Sequence, residues 1–369
     1  MKRLFSLSFI IIGAIIGAGF ASGAEILSFF NYPFYIVVPL FVLCGLFFYL
    51  VFKLYVGLGK HFKIDNISSL NKKMFGKFYL IADFVIFIGT FVVLAAMFAG
   101  VESSSKPIYS LLNLNINFPL ASSIVAIITA IVLQKGIKGL EKTANLLIPI
   151  IVVSIIVISV LGLVLGKNTT YFVAGSGLNS KGLIAGVIVS FGYVCFNCYE
   201  NATIIAEGSK IKGKKGVNIA LLITGIILAL LLFLIFTSLK RASGVVQNTD
   251  MPFLSLAFSI NNFLGYFYVV VLLLSIFTSI LTNSVICNEW LNEFIPNKFV
   301  SGVILTICAF VFSLFGFKTF VDVFYPIRAV LGAIYVIISA LYLLKLNKGA
   351  KQEKIKNVAK LPQKQKIKC

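Results

Sequence analysis

The sequence predicts an all-α integral membrane protein, with ten transmembrane helices arranged as a five-plus-five inverted repeat. Three observations predict it. The 369 residues are 59% hydrophobic and only 12% charged, with mean hydropathy +1.03, against roughly 25% charged residues in a soluble domain. The apolar residues fall into ten charge-free windows. The windows divide into two halves of equal length, each opening on a segment poorly suited to a continuous helix. The composition excludes a water-soluble enzyme, a disordered chain and a secreted disulfide scaffold, because no ordinary core hides this much apolar surface.

In chain order the windows are 4–24, 26–52, 84–101, 107–134, 143–166, 182–199, 216–239, 251–288, 299–317 and 329–344. A helix needs about 20 apolar residues to cross roughly 30 Å of hydrocarbon. Window 182–199 reaches that length if Glu200 lies inside the helix, and 329–344 if Arg328 does. Asn261, Asn262 and Gly265 divide the 38-residue window into a short outer helix, 252–263, and a span, 266–286.

Basic residues set the orientation. With the N-terminus inside, 25 of the 32 Lys and Arg fall on inner segments, six on outer ones, and Arg328 within the membrane. That asymmetry follows the positive-inside rule and puts both termini in the cytoplasm of a bacterial cell. The net charge of +20 is therefore a membrane-topology signal, and nucleic acid is not the expected partner. The Ala21-Ser22-Gly23-Ala24 stretch resembles a leader cleavage site, but its removal would leave nine spans and spoil the alternation. One membrane domain, 1–350, is expected, with a basic cytoplasmic tail, 351–369, that is solvated or lies on the lipid surface. Oligomeric state is not legible.

Most of the six Cys lie in apolar runs, and Cys195-x-x-Cys198 reads as buried packing rather than redox chemistry. His61 is the only His, so a histidine metal site or catalytic triad is not expected. No nucleophile, base and orienting group recur at a recognisable spacing, which argues against an enzyme. No nucleotide-binding loop is present, and no cofactor is expected.

Spans one to five occupy 4–166 and spans six to ten 183–345, 163 residues each. An odd number of spans per half inverts the second half, and in such transporters the site lies where the first helix of each half is unwound. Span one carries Gly13, Gly17, Gly19 and Gly23 within eleven residues, each costing a helix about 1 kcal/mol relative to Ala. Close helix packing through small residues is the competing explanation. Span six carries Asn197, Glu200, Asn201 and Thr203. Polar groups at that depth are costly unless they face protein or water, and hydrogen bonding between helices competes as the explanation. The matched placement favours two broken helices.

These segments carry a resemblance. GAIIGAGFASG, residues 13–23, resembles the first-helix signature of the amino acid–polyamine–organocation transporters. CFNCYENATIIAEGSK, residues 195–210, resembles their sixth helix more loosely. The whole chain is similar to the YkvI family of that superfamily, whose GAGFA[ST]GxE pattern matches residues 17–25, with Ala24 where Gln is common. The resemblance implies the leucine-transporter (LeuT-like) fold and secondary transport of a small organic solute, an amino acid first among them. Unwound backbone at Gly17, Ala18 and Gly19 would meet a carboxylate. Carbonyls near Phe196 and Cys198 would accept from an ammonium, Phe20 and Phe196 would close over the apolar part, and Asn197 and Glu200 complete the expected site.

Residues 275–284 resemble the eighth helix of the sodium-coupled members. The resemblance implies a sodium ion held by the carbonyls of Gly13, Ile16 and Ser275 and the hydroxyls of Thr278 and Ser279. Hydroxyls bonding back to their own helix is the alternative. Proton coupling through Glu25 or Glu200 competes with sodium, although span five, 143–166, lacks any Lys, Arg or His that could replace the ion. A receptor or assembly subunit that keeps the fold without turnover, as spore-germination receptor subunits do, competes with transport.

Overall fold

A computed structural model describes residues 2–359 apart from 63, 65–66, 136–139, 166–179 and 247–248. The inner-loop Lys138, the outer Lys167 and tail residues 360–369 lie outside the described residues. Among the described residues there are helices and no strands. In the first half they are α1 (Lys2–Ile15), α2 (Ala18–Ser22), α3 (Ala24–Phe29), α4 (Phe34–His61), α5 (Ile67–Phe75), α6 (Tyr79–Leu111), α7 (Leu120–Lys135) and α8 (Leu140–Leu165). In the second half they are α9 (Ser180–Cys198), α10 (Ala202–Ala206), α11 (Lys214–Arg241), α12 (Ser243–Val246), α13 (Pro252–Ile260), α14 (Asn262–Leu291), α15 (Lys298–Ser313), α16 (Phe317–Thr319) and α17 (Tyr325–Ala359). A π turn, Phe320–Phe324, joins the last two.

Six helical stretches are long and apolar enough to cross a membrane, and the bent pair α9–α10 makes a seventh. Three shorter apolar helices are Arg3–Ile15, Leu120–Gln134 and Lys298–Ser313. Each of these ten stretches overlaps a charge-free window, and Ile67–Leu111 and Phe317–Gly349 each reach into a second. Large apolar side chains such as Val42, Val164, Ile188, Val330 and Leu341 point outward, as they must where hydrocarbon is the solvent. With no water there, hydroxyls on the helices bond back to carbonyls one turn earlier: Thr90 to Ile86, Ser154 to Ile150 and Thr224 to Ala220.

Local chemistry marks the element ends. Asn261 separates α13 from α14, its side chain accepting from the Phe263 amide at 2.7 Å, so the span starts at Asn262 rather than 266. Asn297 accepts from the amides of Phe299 and Val300 to start α15. Position 350, expected as a domain boundary, lies inside α17. The short α5, not anticipated from the windows, is tied down by a buried acid. Asp83 on α6 accepts from Ser68 Oγ at 2.7 Å and Asn71 Nδ2 at 2.5 Å, and Tyr335 on α17 donates to Asn71 Oδ1 at 2.7 Å.

The two halves interlock. α14 packs along α6, α4 lies against both α9 and α11, and α17 follows α9. Where α4 crosses α11, Gly45 and Gly225 bring the backbones together. A Cβ on Gly225 would sit 2.7 Å from the Gly45 carbonyl oxygen, which cannot swing away as a side-chain tip can. Small residues at membrane helix crossings allow this approach. Gly225→Val is therefore expected to destabilise the protein by about 1–3 kcal/mol or more. Gly182→Ala, where a Cβ meets nothing within 4 Å, should not destabilise it. Thermal unfolding of the detergent-solubilised variants checks the pair.

Candidate functional site at two helix interruptions

The first interruption lies one step earlier than expected. α1 ends at Ile15, Gly17 is extended at φ −100° and ψ −167°, and Ala18 to Ser22 are already helical. The Gly17 amide turns back to the Ile15 carbonyl at 2.9 Å, so the Gly13 carbonyl loses its helical donor. The Ala18 amide donates to Met97 Sδ at 3.4 Å rather than to the Ala14 carbonyl. Gly19 thus lies inside α2. A second joint follows at Gly23, whose φ of +74° suits a residue without a Cβ.

The second interruption is Tyr199–Asn201, and the two limbs of the helix meet there at 82°. Asn201 Nδ2 donates to the Asn197 carbonyl at 2.9 Å and to the freed Ala14 carbonyl at 3.3 Å. The second interruption thereby satisfies part of what the first leaves open.

Between the interruptions is a cavity of about 430 Å³. Gly13, Ile16, Gly17 and Gly19 border it from span one, and Phe196, Asn197, Glu200 and Asn201 from span six. Ser275, Thr278 and Ser279 border it from α14, and Glu25 reaches it from α3. Three expected residues do not border it. Ala18, Phe20 and Cys198 are fully buried in the surrounding core, Ala18 with its amide already engaged by Met97. The rings at the cavity are those of Phe196 and Tyr325, 4.9 Å apart.

The charged groups are deeply enclosed. Arg328 is 4% exposed and donates from Nη2 to Glu200 Oε1 at 2.6 Å. Its guanidinium lies 4.7 Å from the centre of the Phe196 ring and 5.6 Å from that of Tyr325, while Nε and Nη1 have no hydrogen-bond partner among the described residues. Glu25 is 3% exposed, and its Oε1 accepts from the Tyr193 hydroxyl at 2.8 Å. This acid, placed by the sequence just past the first break, is folded back against Gly19. Tyr193, Tyr325 and the Glu200 partner of Arg328 were not legible. The one signal was Arg328 itself, standing at the edge of a charge-free window.

The expected cation ligands gather where the first interruption meets α14. Ser275 Oγ donates to the Ile16 carbonyl at 3.4 Å, and Thr278 Oγ1 donates to the Ser275 carbonyl at 2.8 Å. The Thr278 hydroxyl is thus bonded within its own helix, with lone pairs left to accept. Ser279 Oγ faces Gly17. The Ile16 carbonyl and these hydroxyls are oxygen donors, the type that suits a hard cation, while Gly13 is placed only at the cavity border. Among the described residues, no three His, Cys, Asp or Glu side chains group to hold a transition metal.

Removing one member of a buried ion pair strands the other, at about 3–5 kcal/mol. Arg328→Met is expected to lower stability on that scale, and adding Glu200→Gln should restore part of it. The exposed Lys210–Glu207 pair should change stability by about 0–1 kcal/mol when broken. Unfolding midpoints of the single and double variants, in one detergent, check this.

No family model matches the chain. It is 23% identical over 342 residues to the uncharacterised protein YyaD of Bacillus subtilis, covering 90% of this chain and 95% of YyaD. It is 21% identical over 326 residues to the uncharacterised membrane protein YkvI of the same organism, covering 87% and 90%. Among solved structures it matches Mhp1, a nucleobase-cation-symport-1 family transporter with bromovinylhydantoin bound, at TM-score 0.61 and 17% identity, covering 90% of this chain and 77% of Mhp1. It also matches the Eremococcus coleocola manganese transporter at TM-score 0.59 and 14% identity, covering 92% and 84%. The chain is a multi-pass membrane protein similar to YkvI over most of both lengths, and its fold is the LeuT-like fold of these solved transporters.

Proposed function

We propose that the protein is a secondary transporter of a small organic solute, with an amino acid the first candidate, working by alternating access. In this reading the ten apolar stretches are ten spans in two inverted repeats, and both termini are cytoplasmic. The observation that carries the proposal is the single cavity at both interruptions, bordered by backbone from one and by polar side chains from the other. Its lining also includes Thr203, Thr282 and Glu289. A second cavity of about 440 Å³ is bordered by Asn31, Thr249, Asp250 and Asp322. Helix α3 borders both cavities, through Glu25 on the first and Ala24, Leu27 and Ser28 on the second. The fold shared with known transporters supports the same reading.

Sodium is the proposed coupling ion, held by the carbonyls of Gly13, Ile16 and Ser275 with the hydroxyls of Thr278 and Ser279. These residues belong to α1, the link after it, and α14, so an ion bound there favours one arrangement of those elements over another. A ligand shifts a conformational equilibrium only by its difference in affinity for the two states. The ligands come from elements that α2 and α3 must move against, and that is where such a difference arises.

The test is uptake of a radiolabelled amino-acid mixture into proteoliposomes, with a sodium or a proton gradient imposed separately. Uptake is expected to follow sodium, and Thr278→Ala with Ser279→Ala should abolish sodium-dependent thermal stabilisation while the fold survives. Uptake driven by the proton gradient and indifferent to sodium would overturn the coupling assignment.

A further inference from the structure

Where α5 turns into α6, positive charge and exposed apolar surface lie side by side. The stretch Ile67–Leu111 is 45 residues long, more than twice what roughly 30 Å of hydrocarbon accommodates at about 1.5 Å per residue. Part of it must therefore lie outside the bilayer. Helix α5 and the turn Gly76–Phe78 after it carry Lys72, Lys73 and Lys77, all exposed. None of the three has an acidic partner among the described residues. Their ammonium groups lie over rings instead, 4.8 Å from the centre of Tyr79 for Lys72, 6.0 Å from that of Phe62 for Lys73 and 5.2 Å from that of Phe78 for Lys77. A ring face attracts a cation but leaves its charge unneutralised. From this corner an exposed apolar stripe runs along α6 through Ile81, Phe84 and Ile88, placed on one face by spacings of three and four. Lys77 stands four residues before Ile81, with the exposed Phe78 beside it.

We infer that this corner binds an anionic phospholipid, its acyl chain along Ile81, Phe84 and Ile88 and its phosphate at Lys72, Lys73 and Lys77. Charge and apolar surface together select the occupant. A soluble phosphate has no use for the stripe. A zwitterionic headgroup brings its own cation, which three lysines repel, whereas a headgroup with net negative charge gains from each of them. The bound lipid also steadies α5. Ser68 and Asn71 fasten that helix to Asp83, and Asn71 accepts from Tyr335, whose ring centre lies 6.2 Å from that of Tyr199 at the second interruption. The headgroup thus bears on a short helix that is tied, through one tyrosine, to the bend of span six. The inference depends neither on transport nor on which side of the membrane α5 occupies.

The test uses the chain's only tryptophan. Trp290 lies 6.1 Å, centre to centre, from the Phe84 ring of the stripe. The purified full chain is reconstituted in phosphatidylcholine vesicles, and a rising share of that lipid is replaced by phosphatidylglycerol or phosphatidylcholine with brominated chains. Bromine quenching of Trp290 fluorescence gives the relative affinity of each lipid. Phosphatidylglycerol should bind at least about fivefold more tightly, the scale of one lysine at the bilayer surface. Replacing the three lysines together, Lys72→Gln, Lys73→Gln and Lys77→Gln, should bring the ratio close to one. So should about 1 M potassium chloride, where the Debye length falls to about 3 Å. Lys214→Gln with Lys215→Gln, at the exposed start of α11, should leave the ratio unchanged. Phosphatidylglycerol should also raise Tm above its value in phosphatidylcholine, and not in the triple variant. Equal quenching by the two lipids, or a preference that survives the triple variant, overturns the assignment. Quenching by neither lipid overturns it by showing the stripe covered by protein. Loss of the preference to inorganic phosphate at matched ionic strength overturns it in favour of a soluble anion. Equal Tm in the two lipids overturns the tie between headgroup and α5.

Discussion

In hydrocarbon a backbone amide or carbonyl without a partner costs several kcal/mol, and that constraint governs how this chain can open its helices. Each interruption frees backbone groups that no water in the bilayer core can take. The molecule answers with side chains from elsewhere in the chain. Met97 takes the Ala18 amide, Asn201 takes the Ala14 carbonyl, and Ser275 donates to the Ile16 carbonyl. Gly13, whose carbonyl has lost its helical donor, borders the cavity. The breaks are therefore positions where the two halves and α14 are fastened to one another, and the unfilled remainder is where binding can occur.

The same accounting explains the burial of charge. Arg328 and Glu200 hold α17 to the bend of span six, with the guanidinium packed against aromatic faces. Such a pair is weak evidence for stability, since desolvation opposes the attraction. Its structural effect is to fix where the bend lies relative to Phe196 and Tyr325. Glu25 is held differently, by one hydroxyl and by the absence of a Cβ at Gly19. Two acids at similar depth thus have different environments, one paired and one open on a single oxygen.

Much of the helical layout was legible because hydropathy reports directly on the length a helix needs in hydrocarbon. The ten windows anticipated ten apolar helical stretches, and the glycines of span one and polar residues of span six marked both interruptions. Their register was harder. Helix propensity locates weakness near Gly17 and Gly19 but does not say which amide turns first. That choice depends on Met97, 79 residues from Ala18. Helix α5 escaped notice because its apolar face is short and its anchor, Asp83, looks in sequence like a boundary charge. The partner of Arg328 lies 128 residues away, and no periodicity within one helix reveals it.

The reach of these fastenings bears on how the chain is made. Tyr193 is 168 residues from Glu25, and Asn201 is 187 residues from Ala14. At ribosomal rates of about 5–20 residues per second, Glu25 and the open carbonyls wait roughly 10–30 s for their partners. During that interval these groups lack the partners they have in the finished fold. Timing of synthesis is in this sense part of the fold.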